Sequence, residues 1–298
     1  MHSQRPTNAR DHAPASSGEC RDAPSPSEPL ERSHGPGEDG PILLVESADG
    51  VATLTLNRPR QFNALSEALL EALQDALDDI RSDTRVVVLA ARGRAFCAGH
   101  DLKEMRAEMS GADARARHAE LFARCTRVME SIVGLPQPVI AKVQGLATAA
   151  GCQLVANCDL AIAAETARFA VSGIDVGLFC STPAVPLSRN VARKRAFEML
   201  VTGEFVTAST AVDWGLLNRA VPEAELDGAV DQLASLVASK SAAAVRSGKR
   251  LFYAQLERPL AEAYRMAGEA MADDMLTEDV AEGIDAFGAK RAPRWRHR

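Results

Sequence analysis

Two stretches of this 298-residue chain run from an apolar strand pattern straight into very small side chains. They are VVVLAARGRAFCAG (86–99) and PVIAKVQGLATAAG (138–151). Small residues after a strand let a ligand approach the backbone closely and leave N–H donors exposed. At the start of a helix those donors have no intrahelical partner and carry the positive end of the dipole. Two such N–H groups converging on one point would stabilise an oxyanion. Close packing of a helix on a strand favours Gly and Ala on steric grounds alone, so both readings stand at this level. Gln153 lies three residues after Ala150, hence on the same helix face. Its amide orients water by hydrogen bonding but does not accept a proton usefully near neutral pH.

Other chemistries find less support. GRAFCAGHD (93–101) is neither a GxGxxG nor a GxxxxGK[ST] loop, and there is no GxSxG nucleophile elbow. Of six histidines, His2, His12, His34 and His297 lie near the ends, leaving His100 and His118 without HExxH spacing. No metal is expected. The six cysteines form no CxxC pair and mostly sit in apolar segments, as small core residues of a reducing compartment do.

The elements that must position these residues follow an α/β order. ILLVES and VATLTL flank an Asp49-Gly50 turn and predict a hairpin. From Ser66, a plausible N-cap, Leu69, Leu70, Leu73, Leu77 and Ile80 form one helical stripe. VVVLA (86–90) reads as a strand buried on both faces, a polar helix is expected over 112–133, and PVIAKV, DLAIAA and RFAV continue the alternation. From about Pro183 the pattern is mainly helical. Residues 1–40 hold only Met1 and Leu30 as large apolar side chains and are expected to be disordered. Asp11, Glu19, Asp22, Glu28, Glu31, Glu38 and Asp39 argue against a mitochondrial leader, so a cytoplasmic bacterial protein is expected. The net charge of −6 and the lack of a long apolar run give no case for nucleic acid or membrane as a partner.

Five segments carry a resemblance: LNRPRQFNAL (56–65), AFCAGHDLKEM (95–105), PVIAKVQGLATAAGCQLVANCDLAIA (138–163), TGEFVTASTAVDWGLLNRAVP (202–222) and EGIDAFGAKRAPRW (282–295). In type and order they resemble the crotonase superfamily of enoyl-CoA hydratases and isomerases, from about Pro41 to Trp295. The resemblance implies an α/β spiral of ββα units over 41–225 and a C-terminal helical oligomerisation region over 226–298. It implies a homotrimer or dimer of trimers in fatty-acid metabolism. The ligand would be an acyl-CoA thioester, with no separate cofactor.

The resemblance also assigns roles. The thioester oxygen would rest between the N–H groups of Ala98 and Ala150. Ala98, Gly99, His100 and Asp101 would contact CoA, and Phe287 and Lys290 would reach a neighbouring subunit's CoA. The two glutamates of the hydratases fall on Gln153 and Gly173, neither of which can move a proton. His100 and Asp175, and behind them Cys180, are the nearby groups that could substitute. Three functions follow: a hydratase or isomerase relative of altered chemistry, a non-catalytic acyl-CoA binder or regulatory subunit, or a thioester hydrolase or decarboxylase.

Overall fold

The computed structural model describes residues 40–298, so the expected disorder of residues 1–39 lies outside the described residues. The described chain opens with strands β1 (Leu43–Ala48) and β2 (Val51–Leu56), paired antiparallel with Ala48 opposite Val51. The intervening Asp49 and Gly50 have φ of 51° and 79°, the two positive values of a tight turn whose twist matches the strands. Helix α1 (Glu67–Asp78) begins at Ser66, whose hydroxyl accepts the Leu69 N–H at 3.2 Å. Such a cap stabilises by about 1 kcal/mol. Leu69, Leu70, Leu73 and Leu77 are buried, while Ile80 lies past the helix end and packs half-buried on the same core.

The chain then passes through β3 (Val86–Ala91), β4 (Ala95–Cys97), α2 (Leu102–Ala107), α3 (Ala114–Gly134), β5 (Val139–Val143), β6 (Leu146–Thr148), α4 (Ala150–Asn157), β7 (Leu160–Ala164) and β8 (Arg168–Ala170). Next come α5 (Ser181–Asn190), α6 (Arg193–Thr202), β9 (Val206–Thr207), α7 (Ala208–Asp213) and β10 (Arg219–Val221). Four helices finish it: α8 (Leu226–Ala238), α9 (Ala242–Leu256), α10 (Leu260–Asp274) and α11 (Glu278–Gly288).

The strands divide between two sheets. One has the order β1-β2-β3-β5-β7-β10 and is parallel from β2 onward; the other has the order β4-β6-β8-β9. Each long central strand hands the chain to a short strand of the second sheet and then to a helix. That strand–strand–helix step, taken three times from β3, β5 and β7, winds the chain into a spiral. The apolar run of β3 is explained by its two faces: Val87 and Leu89 enter the main core, whereas Val86, Val88 and Ala90 meet Leu226, Val230 and Ala234 of α8.

Helix α9 is fastened by a buried ion pair. Lys249 Nζ donates to Asp159 at 2.7 Å and to the carbonyls of Ile132 and Gln137 at 3.0 Å each, while the Tyr253 hydroxyl donates to Asp159 at 2.8 Å. Burial pushes the Lys249 ammonium below its ordinary range and Asp159 opposes that shift. Helix α10, by contrast, buries no residue, and its Leu260, Tyr264 and Met271 are exposed.

Candidate functional site

The segment LNRPRQFNAL forms a bed for the first small-residue loop. Phe62 and Asn63 both adopt left-handed backbone, with φ of 53°. The fully buried Asn63 side chain accepts the Arg58 N–H at 2.8 Å and donates to the carbonyls of Arg92 and Ala95 at 2.9 and 2.8 Å. The Arg58 guanidinium donates to Ser66 Oγ at 2.6 Å and lies 3.9 Å from Asp101. The Leu65 N–H donates to the Gly99 carbonyl at 2.8 Å, and the Asp101 N–H to the Leu65 carbonyl at 3.1 Å. Asp101 in turn accepts the Lys103 N–H and caps α2.

This lacing corrects one expectation. The Ala98 N–H, expected as an oxyanion donor, donates to the Phe62 carbonyl at 3.0 Å. Leu65 bridges to His100 through the peptide groups on either side of it, so the His100 N–H points away from Leu65 and has no acceptor among the described residues. Nothing in the residue types signals the difference, because the Phe62 carbonyl belongs to the backbone.

The second loop presents the Ala150 N–H by a different means. Ala149 is held at φ 49° and ψ −119°, a conformation otherwise left to glycine. Its own N–H donates to the Ala170 carbonyl at 3.0 Å, and the peptide that follows is turned so that Ala150 opens α4 with an unpaired N–H. The two loops lie against each other, with Thr148 Oγ1 donating to the Ala98 carbonyl at 3.0 Å. A Cβ on Gly99 would come within 2.9 Å of Ala149 Cβ and 3.3 Å of the Ala150 nitrogen, and one on Gly151 within 2.0 Å of the Cys97 carbonyl oxygen. The small residues are therefore required where the loops meet, and that meeting sets the 98–100 loop beside the head of α4.

Gln153 is 4% exposed, and its Oε1 is buried with no hydrogen-bond partner. Both ring nitrogens of His100 are likewise buried and unpartnered, with the ring edge-on to Phe122 at 5.5 Å. Burial pushes the His100 imidazole below its ordinary value, and the nearby Leu65 backbone opposes that shift. The Gly173 N–H donates to Cys180 Sγ at 3.3 Å. A Cβ on Gly173 would stand 2.6 Å from the Leu178 carbonyl oxygen and 2.7 Å from that sulfur. Burial pushes the Cys180 thiol up. Asp175 is exposed, its carboxylate directed at Gly203 at the end of α6. Phe287 and Lys290 are exposed at and just beyond the end of α11. The fold thus brings residues 98–101 together with 149–153 and turns Asp175 outward.

A sequence model of the enoyl-CoA hydratase/isomerase family matches residues 46–298. Enoyl-CoA hydratase domain-containing protein 3 of Rattus norvegicus is 44% identical over 287 residues, covering 96% of this chain and 92% of the rat protein. The crystal structure of the human protein of that name superposes with a TM-score of 0.82 at 45% identity, over 86% of this chain and 100% of the human one. An enoyl-CoA hydratase of Mycobacterium smegmatis reaches a TM-score of 0.83 at 57% identity, over 86% of this chain and 99% of its own. The rat protein and its mouse, human, Xenopus laevis and Danio rerio counterparts are named mitochondrial. Those names overturn the expectation of a cytoplasmic protein. That expectation rested on acidic residues in the first forty positions, and leader composition is physically independent of the domain that follows it. With the crotonase fold, the order of the motifs and the matches across the domain in agreement, the chain belongs to the enoyl-CoA hydratase/isomerase family.

Proposed function

We propose that this protein binds an acyl-CoA thioester with its carbonyl oxygen between the N–H groups of Ala150 and His100, and polarises it without efficiently hydrating a double bond. The observation that carries the reading is the pair of adjacent loops whose two N–H groups have no acceptor, one of them aimed by the strained Ala149. Such donors are worth about 2.7–4 kcal/mol each to a developing oxyanion. A positioned acid or base contributes roughly 10²–10⁴ in rate, and the positions of the two hydratase glutamates hold Gln153 and Gly173. Thioester binding with little hydration is the outcome of that combination. Asp175, turned to the surface, is no replacement.

The CoA moiety would run along Ala98–Asp101, with Phe287 and Lys290 of an adjacent subunit completing the cleft. The exposed apolar side chains of α10 and α11 support assembly into a trimer or dimer of trimers. The physiological role belongs to fatty-acid metabolism. Calorimetry with acetoacetyl-CoA tests the first claim: measurable binding is expected, and no binding of any of several CoA thioesters refutes it. Crotonyl-CoA tests the second. Turnover should fall far below the roughly 10 s⁻¹ usual for enzymes, while the bound conjugated thioester shows a red-shifted absorbance.

A further inference from the structure

The connection between α2 and α3 is closed by one half-buried side chain. His118, in the second turn of α3, places Nδ1 2.7 Å from the Ala114 carbonyl oxygen and Nε2 3.2 Å from the Met105 carbonyl oxygen. Both partners accept hydrogen bonds and neither can donate one. A neutral imidazole carries one N–H and one lone pair. Either neutral tautomer therefore sets a ring lone pair against a carbonyl oxygen, and only the imidazolium donates to both. His297 shows the opposite arrangement, its ring nitrogens facing the Ala242 N–H and the Arg85 guanidinium.

The two carbonyls belong to different helices. Met105 lies in the last turn of α2, where a helix leaves its carbonyls without intrahelical donors, and His118 supplies the donor. Ala114 is the first residue of α3. His118 thus ties the end of α2 to the start of α3 across residues 108–113. The front of α2 is held separately, by Asp101, which accepts the Lys103 N–H, and by Glu104, which accepts the Glu67 N–H at 3.0 Å. Phe122, one turn beyond His118 on the same face of α3, carries the contact to the His100 ring.

The charged neighbours on these helices do not replace the two carbonyls. Glu108 pairs with Arg117, which also donates to the Ser110 carbonyl at 2.8 Å, and Glu104 is engaged at Glu67. Arg106 in the last turn of α2, Arg115 in the first turn of α3 and the positive end of α3 oppose a charged ring. The negative end of α2 and the adjacent Asp113 favour it.

We propose that residues 102–118 form a pH-sensitive strap, in which protonated His118 fastens α2 to α3 and neutral His118 releases one of the two carbonyls. Histidine changes charge between about pH 5 and 8, so the strap tightens as pH falls through that range and slackens as pH rises. That sign is opposite to the one for His100 and His297, which burial depresses. Because α2 follows the 98–101 loop directly, the strap sets how firmly the chain leaving that loop is held. It is independent of the thioester reading.

The test is hydrogen exchange on the full chain between pH 5.5 and pH 8, with rates corrected for the intrinsic effect of pH, in wild type, His118→Gln and His118→Phe. Amides of residues 105–118 in wild type should be about tenfold more protected at the acid end, the factor for one hydrogen bond of ordinary strength. Neither variant can titrate at this position, so each should show the same protection throughout. Wild-type protection that stays level or falls toward acid overturns the proposal, as does a tenfold change that persists in both variants. Should either variant misfold by circular dichroism, ring ¹⁵N NMR of wild type decides. At pH 5.5 both His118 ring protons should be hydrogen-bonded and slow to exchange; a ring with only one such proton overturns the proposal.

Discussion

Residues 149–151 and Gly173 are two places where the chain has given up side chains, and they do opposite things with the space. At Ala149–Gly151 the missing bulk lets one loop lie on another, and the backbone is turned so that the Ala150 N–H is left without a partner. At Gly173 the space is already filled, by the Leu178 carbonyl and the Cys180 sulfur, and the N–H is taken by that sulfur. The first place keeps a free backbone donor and the second is closed. A small residue therefore marks either a donor or a plug, and only the neighbours decide which.

The largest effect expected from this contrast is at Gly151. Gly151→Ala places a methyl group 2.0 Å from the Cys97 carbonyl oxygen, a backbone atom that cannot step aside. Destabilisation of about 4 kcal/mol or more is expected in urea unfolding, in the range kept for severe core strain. A loss below 1 kcal/mol would mean that the loops are not locked together as described.

Gly173→Ala should cost less, about 1–3 kcal/mol, because one of its two obstacles is a side chain. Combining it with Cys180→Ala removes the sulfur and leaves the Leu178 carbonyl, so the double variant should recover part of the loss. A non-additivity of at least about 0.5 kcal/mol is expected for such contacting residues; strict additivity would show that Cys180 does not fill the space. By the same crowding, Gly173→Glu should destabilise the fold more than Gly173→Ala does. Its backbone is free of positive φ, so space rather than conformation is the barrier.

Much of this was legible in the residues and some was not. The Asp-Gly hairpin, the Ser66 cap and the leucine stripe of α1 depend on local spacing, and spacing is what a sequence displays. The double-sided burial of β3 was legible for the same reason, since an uninterrupted apolar run leaves no face for water. That the Ala98 N–H is not free was not legible, because it is consumed by a carbonyl at Phe62 whose position depends on two consecutive left-handed residues. The crowding at Gly173 was hidden too, as it comes from residues that return to the site only after a turn of the chain. Asp175 looked available from its place beside Gly173, yet the short helical turn there carries it to the surface.

A smaller effect separates strain from packing at the first place. Ala149 in a glycine-like conformation stores roughly 1–3 kcal/mol, while glycine at the same place loses about 0.5–1 kcal/mol through the flexibility of the unfolded chain. Ala149→Gly should therefore stabilise by about 1 kcal/mol in urea unfolding and leave the Ala150 N–H in place. A destabilised variant would show that the methyl group contributes packing that outweighs the strain.

The smallest effect concerns the buried imidazole of His100. Burial sets the His100 pKa below its ordinary 6.5 in the folded chain. As pH falls below about 6.5, the unfolded chain takes up this proton before the folded chain does. Stability from this group is therefore whole above that pH, declines as pH drops from 6.5 toward the folded value, and levels off below it. The slope is at most about 1.4 kcal/mol per pH unit. His297 is also depressed, by burial and then by the Arg85 charge, and adds a slope of its own. Urea unfolding of wild type, His100→Gln, His297→Gln and the double variant between pH 5 and pH 8 separates the two. Each single variant should flatten the acid limb in part and the double variant should flatten it further. If His100→Gln leaves the limb unchanged, the imidazole is not shielded from water, and its surroundings are as wet as the surface beside Asp175.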